Sequence, residues 1–133
     1  MQPDTQSAGA PKWMRWGGYA ISALIVIALL FSAVFKFLQP EQLVTEFKRL
    51  ELSLALAIAL GIIEATCAII YAIPRTAVLG AILVTGYLGG AILTHVRIYD
   101  GFAFVSPLVM GMLTWLGLYL RDSRLRALIP LRR

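Results

Sequence analysis

The sequence predicts an all-α fold: an integral membrane four-helix bundle with a short amphipathic helix between the first and second crossings. Three observations predict it. Apolar residues make up 59% of the 133-residue chain and charged residues only 14%, whereas about a quarter of an average soluble domain is charged. The mean hydropathy is +0.80, which is more apolar surface than a water-soluble core of this size hides, so lipid is the expected solvent. Four apolar runs, each near the roughly 20 residues that carry a helix across a hydrocarbon layer of about 30 Å, are joined by short polar connections.

Residues 1–11 set Pro3, Gly9 and Pro11 among polar and small residues and read as a flexible tail. Residues 12–120 form the transmembrane domain. Lys12, Trp13, Arg15 and Trp16 are interfacial anchors ahead of the first crossing, about 17–38. A secretory signal is the rival reading of this basic start. Its apolar core would be shorter, about 7–15 residues, and no small-x-small cleavage site follows, so an uncleaved helix is expected.

Pro40 opens the amphipathic segment. Leu43, Val44, Phe47 and Leu50 recur there at helical spacing, with Glu46, Lys48 and Arg49 between them. Such a helix lies in the headgroup region or over the mouth of the bundle. The second crossing, 52–73, is interrupted only by Glu64 and ended by Pro74 and Arg75. Thr76 is placed to cap the third crossing, 76–95, by accepting from its first-turn amides. His95, Arg97, Asp100 and the turn residue Gly101 follow. The fourth crossing covers 102–120. The tail, 121–133, is basic, and Leu125, Leu128 and Ile129 give it one apolar side.

Orientation follows from the cations. Four crossings put both termini and the second–third connection on one side, with Lys12, Arg15, Arg75 and five tail arginines. The other side holds Lys36, Lys48, Arg49 and Arg97. The positive-inside bias places both termini in the cytoplasm and the protein in the cell's inner membrane. The net charge of +5 fits this topology and anionic headgroups, with no call for nucleic acid.

One cysteine, Cys67, excludes an internal disulfide, a CxxC redox pair and a cysteine metal cluster. One histidine, His95, argues against a multi-histidine haem or zinc site. No nucleophile elbow, phosphate loop, paired-carboxylate site or HExxH motif is present. No residue is assigned a catalytic role and no metal is expected.

Glu64 is the most informative residue. It falls near the middle of its crossing, where an ionised carboxylate costs about 2.5–3.5 kcal/mol or more, so it must be protonated, paired or hydrated. Ala57, Gly61 and Ala68 share its helix face, while Ile58, Ile62 and Ile69 lie on the other. Small residues admit a neighbouring helix, and branched ones suit lipid. Glu64 is thus a proton-relay or ligand-binding carboxylate, or a neutral acid whose interhelical hydrogen bond fixes register. Tyr87 lies at similar depth as a hydrogen-bond partner or as packing. Thr85 and Thr94 can bond carbonyls one turn back.

Gly86, Gly89 and Gly90 form a small-residue surface whose simplest use is helix packing, as for Gly61; a flat ligand is the other use. Lys36, His95, Arg97 and Asp100 belong at the non-cytoplasmic mouth. Lys36 and Arg97 would attract an anionic headgroup, a quinone carbonyl or an acidic loop. The plainer reading is snorkelling, with local ion pairs among Lys36, Glu41, Arg97 and Asp100.

Phe31-Ser-Ala-Val-Phe-Lys36, Leu60-Gly-Ile-Ile-Glu64, Ile73-Pro-Arg-Thr-Ala-Val-Leu-Gly80 and Gly86-Tyr-Leu-Gly-Gly-Ala-Ile-Leu-Thr-His95 resemble the DoxX-like membrane proteins over roughly residues 20–120. Ala33 stands where the family pattern suggests glycine. The resemblance implies a four-helix membrane bundle with Lys36, Glu64 and His95 at recurrent polar positions. The family name comes from a small subunit associated with a thiosulfate:quinone oxidoreductase, and other relatives are linked to membrane redox-stress complexes. Fold likeness does not transfer activity.

The expected function is a small subunit or anchor of a membrane complex, linked to redox chemistry, that holds a lipid or quinone-like molecule and is not catalytic alone. Its partners would be the bilayer and a membrane-complex protein or further copies of itself. Two alternatives stand beside it. One is a quinone-reactive oxidoreductase component using Glu64 or His95 as proton donor. The other is a small proton-coupled permease that acts as an oligomer.

Overall fold

The computed structural model describes residues 11–128, and every regular element among them is helical. Helix α1 spans Lys12–Leu38, α2 Glu41–Arg49, α3 Ala55–Ala72, α4 Ala77–Arg97, α5 Val105–Arg121 and α6 Ser123–Leu128, with a 3-10 turn at Pro74–Thr76. Lys12–Leu38, Ala55–Ala72 and Pro74–Arg97 are long and apolar enough to cross a membrane. Helix α5 is apolar but shorter, at 17 residues. Helix α1 starts at Lys12 and so includes the anchors expected ahead of it. The fourth apolar run loses Phe102 to a turn, and helix begins at Val105. In the C-terminal tail Leu125 is buried and Leu128 exposed. Ile129 lies outside the described residues.

Local chemistry sets the helix ends. Gln39 adopts a left-handed conformation (φ 51°) and donates its amide to the Phe35 carbonyl at 2.9 Å, with Pro40 blocking further helix. Ile73 is extended before Pro74. Thr76 acts in the opposite sense to the cap expected of it. Its hydroxyl donates to the Ile70 carbonyl at 2.8 Å, satisfying the end of α3, and accepts nothing from α4. A hydroxyl serves orphan carbonyls as readily as orphan amides, and the tight α3–α4 connection leaves the carbonyls nearer.

Helix α1 packs against α3 and α5, and α4 packs against the same two. The core joins Ile25 and Leu29 of α1, Ala68 and Tyr71 of α3, Ala81, Val84 and Leu88 of α4, and Leu118 of α5. Burial sorts α3 as its small residues indicate. Ala57, Gly61, Glu64 and Ala68 face inward, while Ile58, Ile62 and Ile69 are exposed. Large apolar side chains, among them Ile27, Ile82 and Met112, cover the outside.

Glycines set the closest approaches. A Cβ on Gly80 would fall 2.3 Å from the Tyr71 backbone, one on Gly18 2.7 Å from the Gly117 carbonyl oxygen, and one on Gly117 2.7 Å from Ser22 Oγ. Gly61 also packs, since its Cβ would meet the Phe37 ring at 2.9 Å. Gly86, Gly89 and Gly90 correct the expectation of packing within the bundle. A Cβ at any of them would meet nothing within 4 Å. They lie on the arc of α4 opposite Ala77, Ala81, Val84 and Leu88, the face that the core takes.

Candidate functional site

The ammonium of Lys36 lies 2.8 Å from Glu64 Oε1 and donates to Ser32 Oγ, one turn back, also at 2.8 Å. Glu64 is 3% exposed. This corrects one expectation: Lys36 does not join His95, Glu41 or Arg97 at the mouth, because its stem turns inward along α3. Of the states open to Glu64 (protonated, paired or hydrated) the structure presents the paired one, with Lys36 as the partner.

The local sequence explains the geometry. Lys36 sits in the last turn of α1, where a cation complements the helix dipole. Gly61 lets that turn lie against α3, with Lys36 Cβ only 3.2 Å from where a Cβ of residue 61 would be. Glu64 follows Gly61 by three residues and so presents its carboxylate on the same face. An ammonium has three donors, and two are used here. Only one carboxylate oxygen of Glu64 is engaged by Lys36. The third ammonium N–H can therefore still donate to a carbonyl or anionic oxygen.

Tyr87 is partly buried against the core, and its hydroxyl approaches the Glu64 carboxyl closely enough for a long hydrogen-bonding contact, though outside ordinary hydrogen-bond length. Thr85 and Thr94 bond the carbonyls of Ala81 and Gly90, at 2.7 and 2.8 Å. Thr85 Oγ1 also accepts the Trp115 indole N–H at 2.7 Å, a tie between α4 and α5.

The remaining polar residues form a separate group where α2 meets the α4–α5 turn. His95 Nδ1 is 2.7 Å from Asp100 Oδ2, and the same oxygen accepts from Arg49 Nη2 at 3.0 Å. Arg97 donates to the Leu50 carbonyl at 2.6 Å and reaches Glu51 at 3.4 Å. Phe47 and Leu50 are buried beneath. These bonds strap α2 to the end of α4. Arg49 foremost, then His95, holds the Asp100 carboxyl down at about 2, and the Arg49 guanidinium is raised in turn by Asp100 and Glu46. No hydrogen bond or ion pair joins this group to Lys36 and Glu64.

Sequence reasoning missed Ser32 and Arg49. The signal for Ser32 was its spacing of four residues before Lys36. Arg49 carried none, because its partner Asp100 is remote in sequence. No group of histidine, cysteine and acidic residues fit to hold a metal occurs among the described residues. An apolar groove lined by Trp115, Leu116, Tyr119 and Leu125 lies elsewhere and carries no acid, base or thiol beyond the Tyr119 phenol.

A model of the DoxX-like family matches residues 20–117. The chain belongs to the DoxX-like family. The matched stretch contains Ser32, Lys36, Arg49, Glu64, His95 and Asp100, so both polar groups of this DoxX-like protein are built inside the family domain. No curated protein and no solved structure matches the chain. Family membership and the long apolar helices accord with a membrane protein.

Proposed function

We propose that this DoxX-like protein is a four-helix bundle of the inner membrane, with both termini cytoplasmic. In this reading it serves as a small subunit or anchor of a redox-linked membrane complex and holds a lipid or quinone-like molecule against Lys36 and Glu64. The observation that carries the reading is the Lys36–Glu64 pair. A buried ion pair adds little stability over a well-packed apolar substitute, because desolvation offsets the attraction. A pair whose ammonium keeps one donor to spare is suited to holding a carbonyl or phosphate oxygen of a headgroup.

The test is purification in lipid nanodiscs, followed by mass spectrometry of bound small molecules and proteins. The expected result is a carbonyl- or phosphate-bearing molecule retained by the wild-type chain and lost from Lys36→Met. Equal retention by both proteins overturns the assignment of the site. Quinone turnover by the isolated chain, or proton-coupled flux abolished in Glu64→Gln, would replace the anchor reading with one of the two active ones.

A further inference from the structure

Arg121 ends α5, on the end of the molecule away from Lys36 and Glu64. Its guanidinium carbon lies 5.6 Å from the ring centre of Tyr19 on α1 and 5.5 Å from that of Tyr71 on α3. Gly18 admits it, since a Cβ there would meet Arg121 Cβ at 3.0 Å. Nε and Nη2 are buried with no hydrogen-bond partner, the only such side-chain atoms among the described residues. The Tyr71 hydroxyl is not free to help, because it bonds Ser22 and the Thr114 carbonyl. Two aromatic faces attract a guanidinium, but neither accepts its in-plane N–H groups. A buried unpaired cation is costly and calls for an anion.

The described residues do not provide one. At the opposite end most acids and cations pair: Glu46 and Asp100 with Arg49, Glu51 with Arg97, Glu64 with Lys36. At the Arg121 end, Asp122 is the only described acid, and its Oδ1 accepts the Arg124 amide at 2.9 Å. Cations gather there instead, with Lys12 and Arg15 opening α1, Arg75 between α3 and α4, and Arg124 and Arg126 on α6. Arg15 lies one turn before Tyr19 on the same face.

We propose that Arg121, set between Tyr19 and Tyr71, binds the phosphate of an anionic phospholipid headgroup. The planar fork of arginine matches phosphate oxygens in pairs. The flanking surface favours a lipid over free phosphate. Trp13 and Trp16 are each 71% exposed and Tyr19 is 49% exposed, the aromatic belt expected beside headgroups and upper acyl chains. The inference rests on the bilayer reading and is independent of any ligand at Lys36 and Glu64.

The test uses the full chain in nanodiscs of mixed phosphatidylglycerol and phosphatidylcholine, with native mass spectrometry of retained lipid. Wild type is expected to keep a phosphatidylglycerol adduct in preference to phosphatidylcholine. Arg121→Gln is expected to lose about fivefold of that preference, the size of one interfacial cation's attraction, while Arg124→Gln on the exposed helix keeps it. Arg121→Lys retains charge without the fork and tests the site should Arg121→Gln fail to fold. Retention falling below wild type supports the proposal. Equal preference in wild type and both Arg121 variants overturns it, as does displacement of the lipid by millimolar inorganic phosphate. Failure of the wild-type chain to enter nanodiscs would overturn the bilayer reading itself.

Discussion

Lys36 reaches across from the last turn of α1 to Glu64 on α3, with 2.8 Å between ammonium and carboxylate. Removing one member leaves the other charge buried and uncompensated, at a cost of about 3–5 kcal/mol. Lys36→Met and Glu64→Leu should each lower the thermal unfolding temperature in detergent. The double variant should recover most of the loss, giving a strong coupling in a double-mutant cycle. Additive losses would mean that the pair is not an energetic unit.

Gly80 and Gly90 lie on one helix with opposite surroundings. Gly80→Ala drives a methyl into the Tyr71 backbone and should destabilise by about 1–3 kcal/mol. Gly90→Leu meets open space and should change the stability of the isolated chain, read by thermal unfolding, by no more than the roughly 0.5 kcal/mol typical of surface changes. Equal destabilisation at the two positions would contradict the packing described for α4.

Tyr71 is fully buried, and its hydroxyl joins Ser22 at 3.0 Å to the Thr114 carbonyl at 2.7 Å. Tyr71→Phe keeps the ring but strands both partners. The expected loss is about 1–3 kcal/mol, measured by chemical or thermal unfolding. An unchanged midpoint would show that this three-helix junction contributes no net stability.

The strap between α2 and the α4–α5 turn should open in acid. Asp100 ionises at about 2 in the folded chain, below its ordinary 3.8, because Arg49 and His95 favour the carboxylate. A carboxyl depressed by folding stabilises fully above its ordinary value, and that contribution fades as pH falls through the folded one. Amide protection in α2, followed by hydrogen exchange with mild detergent present, should therefore drop between about pH 4 and 2. In Asp100→Asn it should be low already at neutral pH and flat with acid. A wild-type profile without that drop would remove Asp100 from the strap.

Much of the fold was legible because it depends on period and composition. The inward arc of α3 could be read from Ala57, Gly61 and Ala68 against Ile58, Ile62 and Ile69, since a helix fixes which residues share a face. The polarity of Glu64 demanded a partner for the same reason. The partner's identity was not legible, because it depends on how far α1 extends past Phe35 and how near Gly61 lets it come. Gly86 and Gly90 show the converse failure. Their spacing permits close approach, but only the neighbours' placement decides which side of α4 is approached, and the core takes the other arc. Thr76 was misread because a hydroxyl both gives and accepts, so its position between two helices left its allegiance open.

Cys67 is the single cysteine of the chain. It is 6% exposed and one helical turn beyond Glu64. Alkylating reagents can reach its sulfur only when α3 draws away from its neighbours, so labelling kinetics clock that opening without any engineered probe. The natural sequence thereby carries its own reporter for whatever loosens the Lys36–Glu64 seam, whether lipid, partner or substitution.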